Sequence, residues 1–158
     1  MRPLLAELLA ELRAEVVAPL PAQPCPGLRW SPLFRTAPVG GPPGQPDYLN
    51  AVVLVNPTRP PSHTAARELL EALQALEERF ARQRREHWGP HSLDLDLLWW
   101  GNLCSHSEAL TLPHPRLLER AFVLAPLAAI HAQLLTQLQG TSPDPAPTRL
   151  TGQPGWPE

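Results

Sequence analysis

Lysine is absent from this sequence, and its 13 basic residues are all arginine. The chain therefore cannot form a lysine Schiff base, and it has no lysine for the phosphate-binding loop of a Walker A site. If phosphate is bound here, arginine must bind it.

Cysteine is scarce, with only Cys25 and Cys104. The two residues are far apart and outside any CxxC spacing, which argues against a disulfide framework and against a structural zinc site. Cys104 and His106 could share a metal, but two ligands fall short of a tetrahedral set. We interpret both cysteines as ordinary thiols.

Excess positive charge and long apolar runs are also missing. The formal net charge is −2 and the pI is about 6.3, so no basic field exists to hold a polynucleotide. Glu7 and Glu11 interrupt the leucine-rich start before a signal peptide or a membrane span could form. The sequence predicts a cytoplasmic protein that binds neither nucleic acid nor membrane.

The 158 residues suffice for one compact core. Helical and strand periodicities, with proline and glycine between them, indicate mixed α and β structure. The predicted elements are a helix over 5–16, strands over 30–36 and 48–55, a helix that Thr64 caps, a strand over 93–100 and a helix within 117–130. The helix that Thr64 caps has an apolar stripe that should be buried, formed by Ala66, Leu69, Leu70, Leu73, Leu76 and Phe80. We expect one domain over residues 1–140 and a proline-rich, loosely ordered tail over 141–158.

Two acids alternate with leucines in the strand predicted over 93–100. Because side chains alternate faces along a strand, Leu93, Leu95 and Leu97 would point one way, and Asp94 and Asp96 the other. Two such carboxylates can converge on a hard cation that also binds phosphate oxygens. The alternative is a half-exposed strand with a solvated polar face, because the DxD pattern is short and common.

Basic groups flank the two acids along the chain. Arg82 and Arg84 lie a dozen residues upstream, where guanidinium groups could bind phosphate oxygens. An arginine cluster that only complements the end of a helix dipole would give the same pattern. His114 stands between two prolines on a stiff turn, and it is either a ligand-binding residue or a capping or packing residue.

Taken together, the order of these parts resembles the 6-hydroxymethyl-7,8-dihydropterin pyrophosphokinase family. The matching stretches are Phe34-Arg35-Thr36, Gln45 to Asn50, Gln74 to Glu77, Arg82-x-Arg84, Trp88-Gly89-Pro90, Leu93-Asp94-Leu95-Asp96, Leu112-Pro113-His114-Pro115 and Arg120-Ala121-Phe122. The WGP, LDLD and LPHP segments in this order are far more specific than an isolated DxD.

The resemblance implies an α+β fold with a ferredoxin-like antiparallel sheet and helices packed on it. It also implies two Mg²⁺ ions held by Asp94 and Asp96, and ATP as co-substrate. The pterin hydroxymethyl oxygen would attack the β-phosphorus of ATP and release AMP, so the substrates are the partners of a chain that we expect to be a monomer.

Residue roles follow from the same resemblance. The pterin would be bound by Thr36, Tyr48, Asn50, Trp88 and Phe122. The nucleotide would be bound by Gln74, Glu77, Arg84, Leu97, Thr111 and His114. The catalytic set would be Asp94, Asp96, Arg82 and His91.

The chain departs from the family pattern at several places, including its start and position 91. The usual first strand is missing, so we expect either a start upstream of Met1 or a shortened paralogue. His91 stands where the family usually has an arginine, and a neutral histidine is a shorter, monodentate donor. Two other interpretations therefore stay open: a non-catalytic pterin- or nucleotide-binding relative, and a structural module that acts through protein contacts.

Overall fold

The computed structural model describes residues 28–38, 44–55, 59–84, 93–138, 141–152 and 156. The helix predicted over 5–16 and the question of a first strand lie outside these residues. The chain divides into two compact units. The first unit contains the described residues before position 57 and after position 115, and the second unit contains those between.

The residues that the structure describes form short strands and two long helices. In chain order the elements are β1 (Leu28–Trp30), β2 (Phe34–Thr36), β3 (Tyr48–Asn50), β4 (Val53–Val55), α1 (His63–Arg84), β5 (Ser105–His106), β6 (Thr111–Leu112), α2 (Ala121–Leu138) and β7 (Thr148–Arg149). All the strand pairs are antiparallel. The described chain is therefore α+β, as predicted.

The described strands of the first unit form two antiparallel sheets. β1 pairs with β4, and β2 lies between β3 and β7. The strand predicted over 30–36 is interrupted at Ser31, because Pro32 has no N–H to donate to a ladder. Ser31 compensates locally: its hydroxyl accepts the N–H of Val52 at 2.9 Å and donates to the carbonyl of Pro32 at 2.8 Å.

Helix α2 packs on β2 and β3. Its apolar residues Val123, Leu124 and Leu127 are buried, as expected for the core-packed helix predicted in this region. The helix is interrupted at His131, where φ is −150° and ψ is 63°. The first unit thus buries an apolar helix face and places the start of α2 next to its strands.

Part of the proline-rich segment after residue 140 is attached to the first unit. β7 pairs with β2, and the N–H of Leu150 donates to the carbonyl of Leu33 at 2.8 Å. The indole of Trp156 donates to the carbonyl of Ser31 at 2.7 Å and meets Trp30 edge to face, with ring centroids 5.5 Å apart. These contacts differ from the loose attachment expected from composition, while the domain boundary at residue 140 stays a prediction.

Helix α1 forms the framework of the second unit. The expected stripe is largely buried at Ala66, Leu73, Leu76 and Phe80. The predicted Thr64 cap is wrong by two positions. Ser62 caps the helix, since its hydroxyl accepts the N–H of Ala65 at 3.1 Å.

The strand predicted over 93–100 is not formed in the structure, which assigns no strand to these residues. A strand requires a ladder, and among the described residues the 93–100 segment has one backbone bond to the LPHP turn, from the N–H of His114 to the carbonyl of Leu98 at 2.7 Å. The chain then turns at Gly101, whose φ is +53° and whose Cβ, if present, would lie 3.2 Å from Pro61 Cγ. Beyond the turn, β5 and β6 form a hairpin.

Within the described residues, none of the helices is long and apolar enough to cross a membrane.

Candidate active site

The predicted acidic pair lies on the surface of the second unit. Although 93–100 is not a strand, its side chains still alternate: Asp94 and Asp96 are exposed, while Leu93, Leu95 and Leu97 are half-buried. The two carboxylates therefore keep the common orientation that the sequence predicted for them.

A third carboxylate ties this segment to α1. Glu77 is half-buried, and its Oε1 accepts the backbone N–H of Leu95 at 2.5 Å. Leu95 is the residue between the two aspartates, so the bond fixes the backbone from which both acids project. Glu77 therefore has a structural role in addition to the nucleotide contact that the resemblance implies.

Two acids of this group, Glu77 and Asp96, have raised pKa values. Burial, above all, raises the pKa of Glu77, and the nearby charges of Asp94 and Asp96 add to this effect, although the bond from Leu95 opposes it. Asp96 is exposed as a residue, but neighbouring atoms partly desolvate its carboxyl group, and this raises its pKa, with a further contribution from Asp94 and an opposing one from His114. Three acids and one imidazole thus act on one another here, and a cation would relieve the repulsion among the acids.

The donor set fits magnesium when the nucleotide is counted as a ligand. In the part of the chain that the structure describes, no group of three or more Asp, Glu, His or Cys residues is arranged to hold a metal ion. Magnesium, however, is commonly held by one or two carboxylates, with substrate phosphates and water completing its shell. Asp94 and Asp96 are two exposed oxygen donors of this kind.

The residues predicted to bind nucleotide are partly brought together. Glu77 interacts electrostatically with both aspartates, and His114 interacts with Asp96. Gln74 lies one turn before Glu77 on α1 and is exposed, while Leu97 and Thr111 are half-buried. Trp88, His91 and the side chains of Arg82 and Arg84 lie outside the described residues.

Four of the five residues predicted to bind the pterin lie in the first unit: Thr36, Tyr48, Asn50 and Phe122. β2 and β3 pair so that Phe34 is opposite Asn50 and Thr36 is opposite Tyr48. Asn50 Nδ2 donates to Thr36 Oγ1 at 2.7 Å. This pair supplies amide and hydroxyl groups that suit the polar edge of a heterocycle.

A cavity of about 260 Å³ opens beside this pair. It is lined by Arg35, Thr36, Ala37, Asp47, Ala121, Phe122, Asp144, Pro145, Ala146 and Thr148. Two residues predicted to bind the pterin, Thr36 and Phe122, are part of its wall. Tyr48 and Asn50 are not, and Tyr48 is 47% exposed, with its hydroxyl donating to Gln45 Oε1 at 3.3 Å.

Asp144 is a residue of the cavity wall that sequence reasoning missed. It follows a stretch of Thr, Ser and Pro in the segment expected to be loosely ordered, and a lone acid in such a segment carries no local signal. Its partner Arg120 belongs to a stretch that matches the family, but it had no predicted role. The ion pair between them, at 3.1 Å, could be found only from the fold.

Known proteins give an independent line of comparison. The family model described as 7,8-dihydro-6-hydroxymethylpterin-pyrophosphokinase (HPPK) matches residues 5–132. Three relatives, from Synechocystis, Bacillus subtilis and Pseudomonas aeruginosa, are named 2-amino-4-hydroxy-6-hydroxymethyldihydropteridine pyrophosphokinase.

The Synechocystis relative is 47% identical over 102 residues, which are 65% of this chain and 49% of the relative. The Bacillus relative is 37% identical over 123 residues, 78% of this chain and 70% of the relative. The Pseudomonas relative is 38% identical over 130 residues, 80% of this chain and 76% of the relative. The chain thus spans about half the length of the Synechocystis protein and about three quarters of the Pseudomonas protein. It belongs to the 7,8-dihydro-6-hydroxymethylpterin-pyrophosphokinase family.

Proposed function

We propose that this chain transfers diphosphate from ATP to the hydroxymethyl group of 6-hydroxymethyl-7,8-dihydropterin, a step of folate biosynthesis. Its family and the names of its relatives support this activity. A bond forms between the hydroxymethyl oxygen and the β-phosphorus of ATP, while the bond from that phosphorus to the oxygen bridging it to the α-phosphate breaks. The hydroxyl proton is released, and AMP leaves with the bridging oxygen.

The observation that carries the proposal is the acid cluster of Glu77, Asp94 and Asp96 with His114 beside it. Asp94 and Asp96 would hold the two Mg²⁺ ions that the resemblance implies, and those ions would neutralise charge on the triphosphate. Glu77 holds the backbone between the two aspartates through Leu95. A module that acts only through protein contacts would gain nothing from three mutually repelling acids.

In the first unit, the pterin would be bound through its polar edge and its ring. Thr36 and Asn50 offer a hydroxyl and an amide that already form one hydrogen bond with each other, so their orientation is set before a ligand arrives. Phe122 offers an aromatic surface at the cavity. Tyr48, which is exposed, would offer a second aromatic surface. The ferredoxin-like arrangement, the cytoplasmic location and the monomeric state stay predictions from the sequence.

An assay of AMP release that depends on both the pterin and Mg²⁺ tests the proposal. Asp96→Ala should abolish the release, because the variant loses a carboxylate that would bind the metal. Glu71→Gln, a change at an exposed acid of α1, serves as the matched control and should leave the rate unchanged. AMP release that persisted in Asp96→Ala would contradict the role of the acids. Binding of pterin and nucleotide without AMP release by the unaltered chain would instead favour a non-catalytic relative.

A further inference from the structure

Asp144 connects three parts of the first unit. Its Oδ2 lies 3.1 Å from Arg120 Nε and 3.3 Å from the backbone N–H of Ala121, the first residue of α2. The side chains of the ion pair are largely withdrawn from water, with exposed fractions of 19% for Arg120 and 13% for Asp144. One carboxylate therefore both caps the helix and pairs with the arginine that precedes it.

Arg120 in turn contacts an aromatic residue that was predicted to bind the pterin. The guanidinium carbon lies 4.8 Å from the centre of the Phe122 ring, within cation–π distance. Phe122 and Asp144 both line the cavity. Arg120 therefore connects two residues of the cavity wall, Asp144 and Phe122, without lining the cavity itself.

Asp144 and Arg120 form a close ion pair rather than a well-aligned hydrogen bond. Arg120 Nε is buried, and among the described residues it has no hydrogen-bond partner of acceptable geometry, although Asp144 Oδ2 is within 3.1 Å. The arginine is thus held by Coulomb attraction in a poorly hydrated place, where removal of the negative charge has a large effect. Loss of that charge would release Arg120 from its place over the ring.

The backbone on both sides of Asp144 is also held in place. The N–H of Asp144 donates to Ser142 Oγ at 3.1 Å, and four residues later β7 begins and pairs with β2. Since the backbone around Asp144 is anchored, its carboxylate fixes Arg120 and the first turn of α2 rather than following them.

We propose that Asp144 is a positioning residue for ligand binding: through Arg120 and the first turn of α2 it holds the Phe122 ring in the cavity wall, ready to stack on a flat heterocycle. The role rests on the proposed function, which supplies the pterin as that heterocycle. An aromatic ring that is fixed beforehand loses less conformational freedom when a ligand stacks on it, so the fixation favours binding of the pterin and not the chemical step.

The test compares Asp144→Ala and Asp144→Asn with the unaltered chain by steady-state kinetics. We expect the KM for the pterin to rise about tenfold in the alanine variant and somewhat less in the asparagine variant. The KM for ATP and the kcat at saturating pterin should stay within about twofold, because Asp144 touches neither the nucleotide nor the reacting atoms in this scheme. A purely structural role would instead lower the active fraction, and with it kcat, at unchanged KM.

Glu119→Gln is the matched control, since Glu119 is an exposed acid that pairs with Arg116 at 3.7 Å in the turn just before α2. It should leave the KM for the pterin unchanged. If Asp144→Ala does not fold, Asp144→Asn carries the test alone, because asparagine keeps the size of the side chain and an acceptor for the N–H of Ala121.

A double-mutant cycle then asks whether Asp144 acts through the ring. In a Phe122→Leu background, Asp144→Asn should add little to the loss of pterin affinity, whereas fully additive losses would overturn the proposal. An unchanged KM for the pterin in Asp144→Asn would overturn it as well, while leaving the proposed function intact. Failure of the unaltered chain to release AMP in the presence of the pterin would overturn both.

Discussion

The two units present their candidate sites in different ways. In the second unit, the acids Glu77, Asp94 and Asp96 act on one another mainly through charge, and the two aspartates are exposed. In the first unit, side chains from β2, the start of α2 and the segment before β7 form the wall of a cavity through direct contacts. The acidic pair can be recognised in the sequence, whereas the residues of a cavity wall come from distant segments that only the fold brings together.

The largest effect on activity should come from changes in the acid cluster. These changes should lower kcat without changing the affinity for the pterin. Asp94→Asn and Asp96→Asn should each lower kcat by about a thousandfold, because amides are weaker ligands than carboxylates for a hard cation. Affinity for the pterin alone, measured by calorimetry, should be unchanged. A loss of pterin affinity equal to the loss of kcat would mean that the two sites are not separable.

A change at Trp156 should lower the stability of the first unit and leave nucleotide binding unchanged. Trp156→Ala removes the edge-to-face contact with Trp30 and the hydrogen bond to Ser31. We expect the free energy of unfolding to fall by about 2 kcal/mol in urea titrations, less than for a fully buried tryptophan, because this side chain is half-buried. Binding of an ATP analogue with Mg²⁺, measured on the folded protein, should be unaffected, and a weakened nucleotide affinity would contradict the separation.

Glu77→Gln separates function from stability within the acid cluster. Glutamine keeps an acceptor for the N–H of Leu95 but removes a negative charge next to Asp94 and Asp96. Without magnesium the variant should therefore be at least as stable as the unaltered chain at pH 7, while its kcat with magnesium and ATP falls by about tenfold. Lower stability in the metal-free variant, measured by urea titration, would show that the charge of Glu77 has a structural role.

The smallest effect concerns pH. The pKa values of Glu77 and Asp96 are raised in the folded chain, mainly by burial, so these groups take up protons more readily there than in the unfolded chain. Without metal, the free energy of unfolding should therefore rise as the pH falls through these raised pKa values, and the gain should level off below the ordinary carboxyl range. Magnesium with an ATP analogue should reduce the rise. The rise should also be smaller in Glu77→Gln, and a rise of equal size there would contradict the assignment to this cluster.

Prediction from the sequence was strongest where a periodic pattern and burial agree. The apolar stripe of α1 and the outward face of Asp94 and Asp96 follow from spacing alone. Thr64 and Ser62 are equally good caps by residue type, so only the hydrogen bond to Ala65 distinguishes them. The strand expected over 93–100 has the right alternation, but a pattern of side chains does not supply a partner for the ladder.

The contacts after residue 140 could not be predicted for a different reason. Proline and polar residues indicate a segment that cannot build a core of its own, and the sequence gives no sign that β2 would accept β7 as a neighbour. Asp144 and Arg120 lie 24 positions apart, and their pairing depends on that strand pairing. The roles of the individual site residues stay predictions.

Gly101 shows how closely the segment that carries the acids is joined to the β5–β6 hairpin. The backbone at Gly101 is left-handed, and a Cβ there would lie 3.2 Å from Pro61 Cγ, so a side chain would adopt a strained backbone and press on the proline ring. The turn at Gly101 thereby fixes the distance in space between Asp96 and the residues of the β5–β6 hairpin. A larger residue at position 101 would therefore change the distance between Asp96 and the hairpin, although glycine itself contributes no chemical group to the site.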